Sequence, residues 1–96
     1  MQLEIITPEA KIFKGDAEAV QFPGLDGSFQ VLNNHAAIIS ALAKGKVKVN
    51  LNSNFEITES TSELIEVDKS NNKIIHIGIK GGVMEMLNDK VIVLAE

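Results

Sequence analysis

A chain of 96 residues fits a single domain, 1–96, and folding at this size removes roughly 60 to 70% of the unfolded surface from water, enough for one modest core. Nine lysines stand against thirteen acidic residues, for a net charge of −4, and there is no arginine; with four phenylalanines as the only aromatics, the composition argues against nucleic-acid binding, weakens any nucleotide site and points to protein partners. No cysteine is present, which excludes a disulfide framework and a thiolate metal site and predicts a reducing compartment.

The N-terminus MQLEIITPEA has neither the basic region nor the apolar core of a leader. No apolar run approaches the ~18 residues of a membrane span, so a soluble chain is expected unless a partner carries it to a membrane. QLEIIT predicts a first strand, Thr7-Pro8-Glu9 a turn, KIF a short arm, Gly15 a break, and AEAVQF a strand ending at Pro23. Asp26-Gly27 marks a hairpin turn, because glycine tolerates the positive φ such turns demand, and SFQVL follows it. AAIISALA, residues 36–43, is the one segment open to a helical reading. It is too short for a stable isolated helix and its isoleucine pair is β-branched, which predicts a short strand or a turn of helix ending at Gly45.

In KVKVNLN, Val47, Val49 and Leu51 alternate strictly with Lys and Asn, and FEIT continues the pattern with Phe55 and Ile57. These predict the two arms of a hairpin turning at Asn52-Ser53-Asn54. ELIEVD gives the next strand, and after the turn signal Ser70-Asn71-Asn72 the segment KIIHIGI sets Ile75, Ile77 and Ile79 on one face and His76 on the other. Gly81-Gly82 breaks the chain, VMEML follows, Asn88-Asp89 turns it, and KVIVLA, apolar at both parities, predicts a strand buried on both sides. Short strands with turn signals at roughly 8- to 12-residue spacing predict an all-β fold, an antiparallel sandwich or flattened barrel.

Catalysis is poorly provided for. The chain has no serine in a nucleophile elbow, no HExxH, no Walker glycine loop and no histidine pair at ligand spacing, so an enzyme is not expected, and neither a cofactor nor a metal is implied. His35, after Asn33-Asn34, invites a general-base reading that is outweighed by a hydrogen-bonded loop histidine or an interface contact. His76 is expected at the surface or in a second layer. The acidic series Glu56, Glu59, Glu63, Glu66 and Asp68 lacks the Asp-x-Asp-x-Asp-Gly spacing that wraps oxygens around calcium, and predicts a solvated hairpin face. Met84-Glu85-Met86 is similar to the Met-Lys-Met tip of biotin-carrier domains, but glutamate stands where the acceptor lysine would be, which removes that reading.

PGLDGSFQVLNNHAAI, residues 23–38, is hard to explain as packing alone. Taken with TPEAKIFKGDAEAVQFPG before it, the glycine of ALAKGKVKV and the closing GGVMEMLNDKVIVLAE, it resembles the epsilon-subunit family of the rotary, F-type ATP synthase (delta in mitochondrial nomenclature), in its N-terminal β-sandwich domain. The resemblance implies a flattened sandwich of about ten short strands in the central stalk, bound to the gamma subunit and seated on the ring of c subunits. It implies a non-catalytic rotor part that couples proton-driven rotation to ATP synthesis, peripheral on the cytoplasmic face of a bacterial inner membrane.

In that family the loop of PG-x-DG-to-HA type meets the polar loops of the c-ring, which carries over here to Asp26, Gly27, Ser28, Asn34 and His35. A tight turn and a second irregular loop also present backbone donors and short side chains at little cost in ordering entropy. Three departures stand out. Ala37 replaces a frequent proline; the chain between Gly45 and Gly81 is longer than in common members, predicting an added or extended hairpin over 53–70; and the chain stops at Glu96, without the family's C-terminal helical hairpin, which in many members binds ATP or inhibits hydrolysis. The rivals are a free-standing β-sandwich binding a small ligand, saccharide or protein, for which exposed Trp or Tyr platforms are missing, and a small hydrolase, for which no nucleophile can be named.

Overall fold

Alternation at period two sends one set of side chains inward and the other outward. Nine such runs are strands in the computed structural model, which describes residues 1–96: β1 (Gln2–Ile6), β2 (Lys11–Gly24), β3 (Gly27–Leu32), β4 (Ile38–Leu42), β5 (Gly45–Leu51), β6 (Ile65–Val67), β7 (Ile74–Ile79), β8 (Gly82–Leu87) and β9 (Lys90–Ala95). One layer has the spatial order β3-β2-β5-β7-β6 and the other β2-β1-β9-β8-β4. The all-β sandwich expectation holds, and the 14-residue β2 explains why nine strands fill about ten places. Its Lys11–Asp16 half pairs with β1 and its Ala17–Gln21 part with β5, with an irregularity between Ala17 and Ala19 where it passes from one layer to the other. A bridge from Gly24 to Leu42 of β4 closes the second layer back onto β2, flattening the whole into a barrel.

Every pairing is antiparallel except β1 with β9, where Gln2 through Ile6 run beside Lys90 through Leu94 in parallel. These two strands are joined through the entire intervening chain, so no tight hairpin forces them antiparallel. Buried residues of both layers meet in one cluster of 20, among them Leu3, Ile5, Phe22, Val47, Val49, Ile75, Ile77, Met84, Met86, Val91 and Val93, and no polar residue is buried. Each such aliphatic side chain contributes about 1.5–3 kcal/mol by leaving water. The stripe Ile75, Ile77 and Ile79 lies inward as expected, and His76 lies on the other face.

The structure departs from the sequence expectations at four places. Gly15 does not break the chain: a Cβ there would stand 2.9 Å from the ring of Phe13, so the glycine makes room for an aromatic lying over a continuous strand. FEIT is not a hairpin arm. The two neighbours of β5 are β2 and β7, which leaves no free edge for a strand folding back on it. Residues 52–64 instead form a loop, anchored where Phe55 N donates to Asn72 O at 2.8 Å and where the Phe55 ring tilts against Phe13 with centroids 6.4 Å apart. Residues 53–70 are therefore this loop and the short β6, not an added or extended hairpin.

KVIVLA is buried on one side only. Val91, Val93 and Ala95 enter the core, whereas Leu94 is 58% exposed, because no third layer covers the outside of β9. AAIISALA resolves to strand, since β4 pairs with β8 along Ile38–Leu42.

Candidate docking edge

Asp26, Gly27 and Ser28 sit at the hairpin joining β2 to β3, where Gly24 pairs with Gly27 across Leu25 and Asp26. Of residues 24–28 only Gly27 has positive φ, at 119°, with open space where a Cβ would go. The glycine of the Asp-Gly pair thus carries the conformational demand of the turn. Gly24 meets a steric demand instead: a Cβ there would lie 2.6 Å from the Gly27 carbonyl oxygen and 2.9 Å from the Phe29 ring. Pro23 is tolerated because it lies beyond Gln21–Lys48, the last pair between β2 and β5, so no ladder amide is missed. Its carbonyl accepts from Ala43 N at 2.7 Å. Asp26, Gly27 and Ser28 are exposed and line, with Ser40 and Ala41, a groove of about 330 Å³.

Asn34 and His35 lie at the other end of β3. A six-residue strand, about 20 Å long, separates them from Asp26, so the five residues assigned to docking bracket one strand and do not form one loop cluster. Asn34 has φ 63°, a left-handed conformation asparagine tolerates. Its N–H donates to Asp89 Oδ1 at 2.8 Å, and the preceding Asn33 accepts the Met1 amino group on Oδ1 at 2.6 Å. The same amino group donates to Ala17 O at 2.9 Å and lies 3.7 Å from Asp89 Oδ2. Asn88 and Asp89, at φ 52° and 60°, form the turn between β8 and β9 that presents this carboxylate. His35 is exposed, with Nδ1 donating to Ala36 O at 2.8 Å and N donating to Leu32 O at 3.2 Å. No carboxylate orients its ring, which leaves it a loop histidine.

Sequence reasoning missed the pairing of the other histidine. His76 Nε2 donates to Asp68 Oδ1 at 2.9 Å, and Ser70 donates to Asp68 Oδ2 through Oγ at 2.6 Å and N at 3.0 Å. These bonds, Ser70's first and then His76's, hold the Asp68 carboxyl well below the usual carboxylate range. Ser70 Oγ is spent on Asp68 and not on the imidazole, so the trio fastens the β6–β7 turn and does not activate a nucleophile. The signal was present in Asp68-x-Ser70, a short-range turn pattern.

Several comparisons bear on what this arrangement belongs to. Residues 1–61 match the model of the ATP synthase delta/epsilon chain β-sandwich domain. The ATP synthase epsilon chain of Chlorobium limicola is 35% identical over 95 residues, covering 99% of this chain and 88% of that one. That of Salinibacter ruber is 35% identical over 96 residues, 100% of this chain and 58% of its own length; that of Campylobacter lari is 40% identical over 74 residues, 77% and 52%. The chain thus spans little more than half the length of the latter two relatives. Among solved structures, a chain of the central stalk and c-ring of the Tetrahymena thermophila mitochondrial ATP synthase shares the fold, with a TM-score of 0.69 at 15% identity over 99% of this chain and 62% of that one. Residues 1–61 and relatives aligned across nearly the whole length agree, and the chain belongs to the ATP synthase delta/epsilon family, in the part of it that folds as the β-sandwich.

Proposed function

We propose that the chain is a non-catalytic rotor subunit of ATP synthase, a single domain over 1–96 that joins the gamma subunit to the c-ring and turns with them. Its relatives are epsilon chains, and that kinship over the whole length is the observation that carries the reading. Chemistry in such a part lies in its neighbours, and its own task is not to slip. A coupling part therefore needs two separate, extensive contacts, each well over ~1,000 Å² in total.

The molecule offers two surfaces suited to this. One is the edge bracketed by Asp26, Gly27 and Ser28 at one end and Asn34 and His35 at the other, assigned here to the polar loops of the c-ring. The other is the outside of β4, β8 and β9, where Ile39, Val83, Leu87 and Leu94 are 71, 45, 55 and 58% exposed. An apolar face of this kind on a small chain marks a partner, and we assign it to gamma. Membrane contact is made through the complex, at the cytoplasmic face; no helix of the chain is long and apolar enough to cross a membrane. Pull-down of the tagged chain from native membranes tests the proposal: gamma and the c subunits are expected to come with it, and their absence overturns it.

A further inference from the structure

The outward face of β4, β8 and β9 is apolar at its middle except for one carboxylate. Side chains of one parity share this face, and the registers line them up in rows across the three strands: Ala41–Val83–Leu94, then Ile39–Glu85–Ile92, with Leu87 opposite Lys90 in the next. Glu85 therefore has only apolar immediate neighbours, Ile39 and Ile92 across the ladder and Val83 and Leu87 along its own strand. Its side chain is exposed and forms an ion pair with no cation of the chain, not even Lys90 on the diagonal.

The same row continues from Ile92 to Glu4 of β1, and there the fold behaves differently. Lys11 Nζ stands 2.9 Å from Glu4 Oε2, so one carboxylate of the row has a counter-charge within the chain and the other has none. In water a bare carboxylate is well solvated. Under a partner it loses that hydration, and only a positive charge in contact offsets the loss. A groove of about 400 Å³ beside Glu85 limits the form this charge can take. Ala37, Ile39 and Leu87 are among its walls, and Glu85 is the one charged residue lining it. An aliphatic stem fits such walls while a cationic head reaches the carboxylate, which is the build of lysine and arginine. A second copy of this chain fits poorly, because an isologous dimer about an axis through the face brings the two Glu85 carboxylates toward each other.

We propose that Glu85 is the charged anchor of this face: the chain seated on β4, β8 and β9 is apolar where it touches them and carries one arginine or lysine that lies along Ile39 and Leu87 and pairs with the Glu85 carboxylate. That this chain is gamma rests on the function proposed above; what is added is its chemistry, a single basic side chain at the centre of an apolar surface. The apolar contact supplies area. The ion pair fixes the register, since a partner shifted along the strands leaves two opposite charges buried and apart.

Release of labelled chain from the assembled, membrane-bound ATP synthase, chased with unlabelled wild-type chain, tests this. Glu85→Gln keeps the shape and removes the charge, and it is expected to dissociate more than about tenfold faster than wild type with little change in association, because truncating one partner of a buried charge pair acts on dissociation. Glu85→Leu discriminates further. Against a wholly apolar partner it would hold longer, whereas against a cation it too should leave more than about tenfold faster. Glu63→Gln, at an exposed carboxylate of the 52–64 loop, makes the same change in net charge and should dissociate like wild type. All three isolated variants should melt within a few degrees of wild type, as for exposed sites generally. Dissociation of Glu85→Leu no faster than wild type, or equal acceleration by Glu63→Gln, overturns the anchor and leaves gamma on this face. Ile39→Asp reads the face itself: its retention like wild type places gamma elsewhere and overturns the assignment together with the anchor. Self-association of the isolated wild-type chain that Ile39→Asp abolishes, followed by sedimentation, makes a second copy the occupant and overturns the choice made here.

Discussion

The two turns that bracket β3 are built in opposite ways. At Leu25–Asp26 the geometry is settled within four residues, by the positive φ of Gly27 and the missing Cβ of Gly24, and the polar side chains remain free. At Asn33–Asn34 it is settled from afar, by a carboxylate 55 positions away and an amino group 32 positions away. A turn made locally leaves its functional groups for a partner; a turn made by long-range bonds has already spent them. Of the five residues proposed for docking, Asp26 and Ser28 are therefore the freest to bind, and the Asn34 backbone N–H is occupied by the fold itself.

That contrast can be broken by substitution, and the largest effect is expected on assembly. Ser28→Lys should leave unfolding within about 0.5 kcal/mol of wild type, as for surface sites generally. An unpaired charge at a buried contact costs several kcal/mol, so retention in the membrane-bound complex should fall severalfold to a hundredfold. Sedimentation of membranes with and without the variant measures this, and full retention would clear this end of β3 of any role. Asn34→Lys is a poorer probe, because a non-glycine side chain other than Asn or Asp at φ 63° costs about 1 kcal/mol before any partner is met.

Gly24→Val tests the local turn: with its Cβ 2.6 Å from the Gly27 oxygen, it should lose about 2–3 kcal/mol in denaturant unfolding. A loss under about 0.5 kcal/mol would show that the hairpin is not set by that contact. Asp89→Ala tests the long-range turn and should lose about 1–3 kcal/mol, from an unpaired Asn34 amide and a left-handed alanine. Asp89→Asn, which keeps an acceptor and tolerates the φ, should lose less than half as much; equal losses would mean that charge against the Met1 amino group dominates.

The smallest effect concerns a third turn, after β6. The Asp68 carboxyl, held low by Ser70 and then His76, favours the folded chain fully above its unfolded value near pH 4, and that contribution is lost as pH falls toward the lower folded value. Asp68→Asn should therefore lower the thermal midpoint at pH 7 by about as much as it flattens the fall below about pH 4. An unchanged acid slope would mean that the pairing adds nothing in solution.

What the amino-acid sequence determined by itself is local. Period-two runs such as KVKVNLN and KIIHIGI select their inward residues without regard to partner strands, and Asp26-Gly27 and Asn88-Asp89 form turns because their backbones accept the required φ. The residues proposed for docking also stand out locally, as a turn-rich stretch that carries a family resemblance. Tertiary structure decided what depends on who is adjacent. FEIT has the alternation of a strand but no strand edge to join, since β2 and β7 occupy both sides of β5. KVIVLA could not show that only one of its faces would be covered, and Gly15 could not show that it was making room for Phe13 inside a continuous strand. The same holds for the site: Asp26 and His35, nine positions apart in sequence, look like neighbours until an extended strand sets them at its opposite ends. Alternation and turn chemistry are properties of a few consecutive residues, whereas edges, faces and distances arise only when strands distant in the chain take their places beside one another.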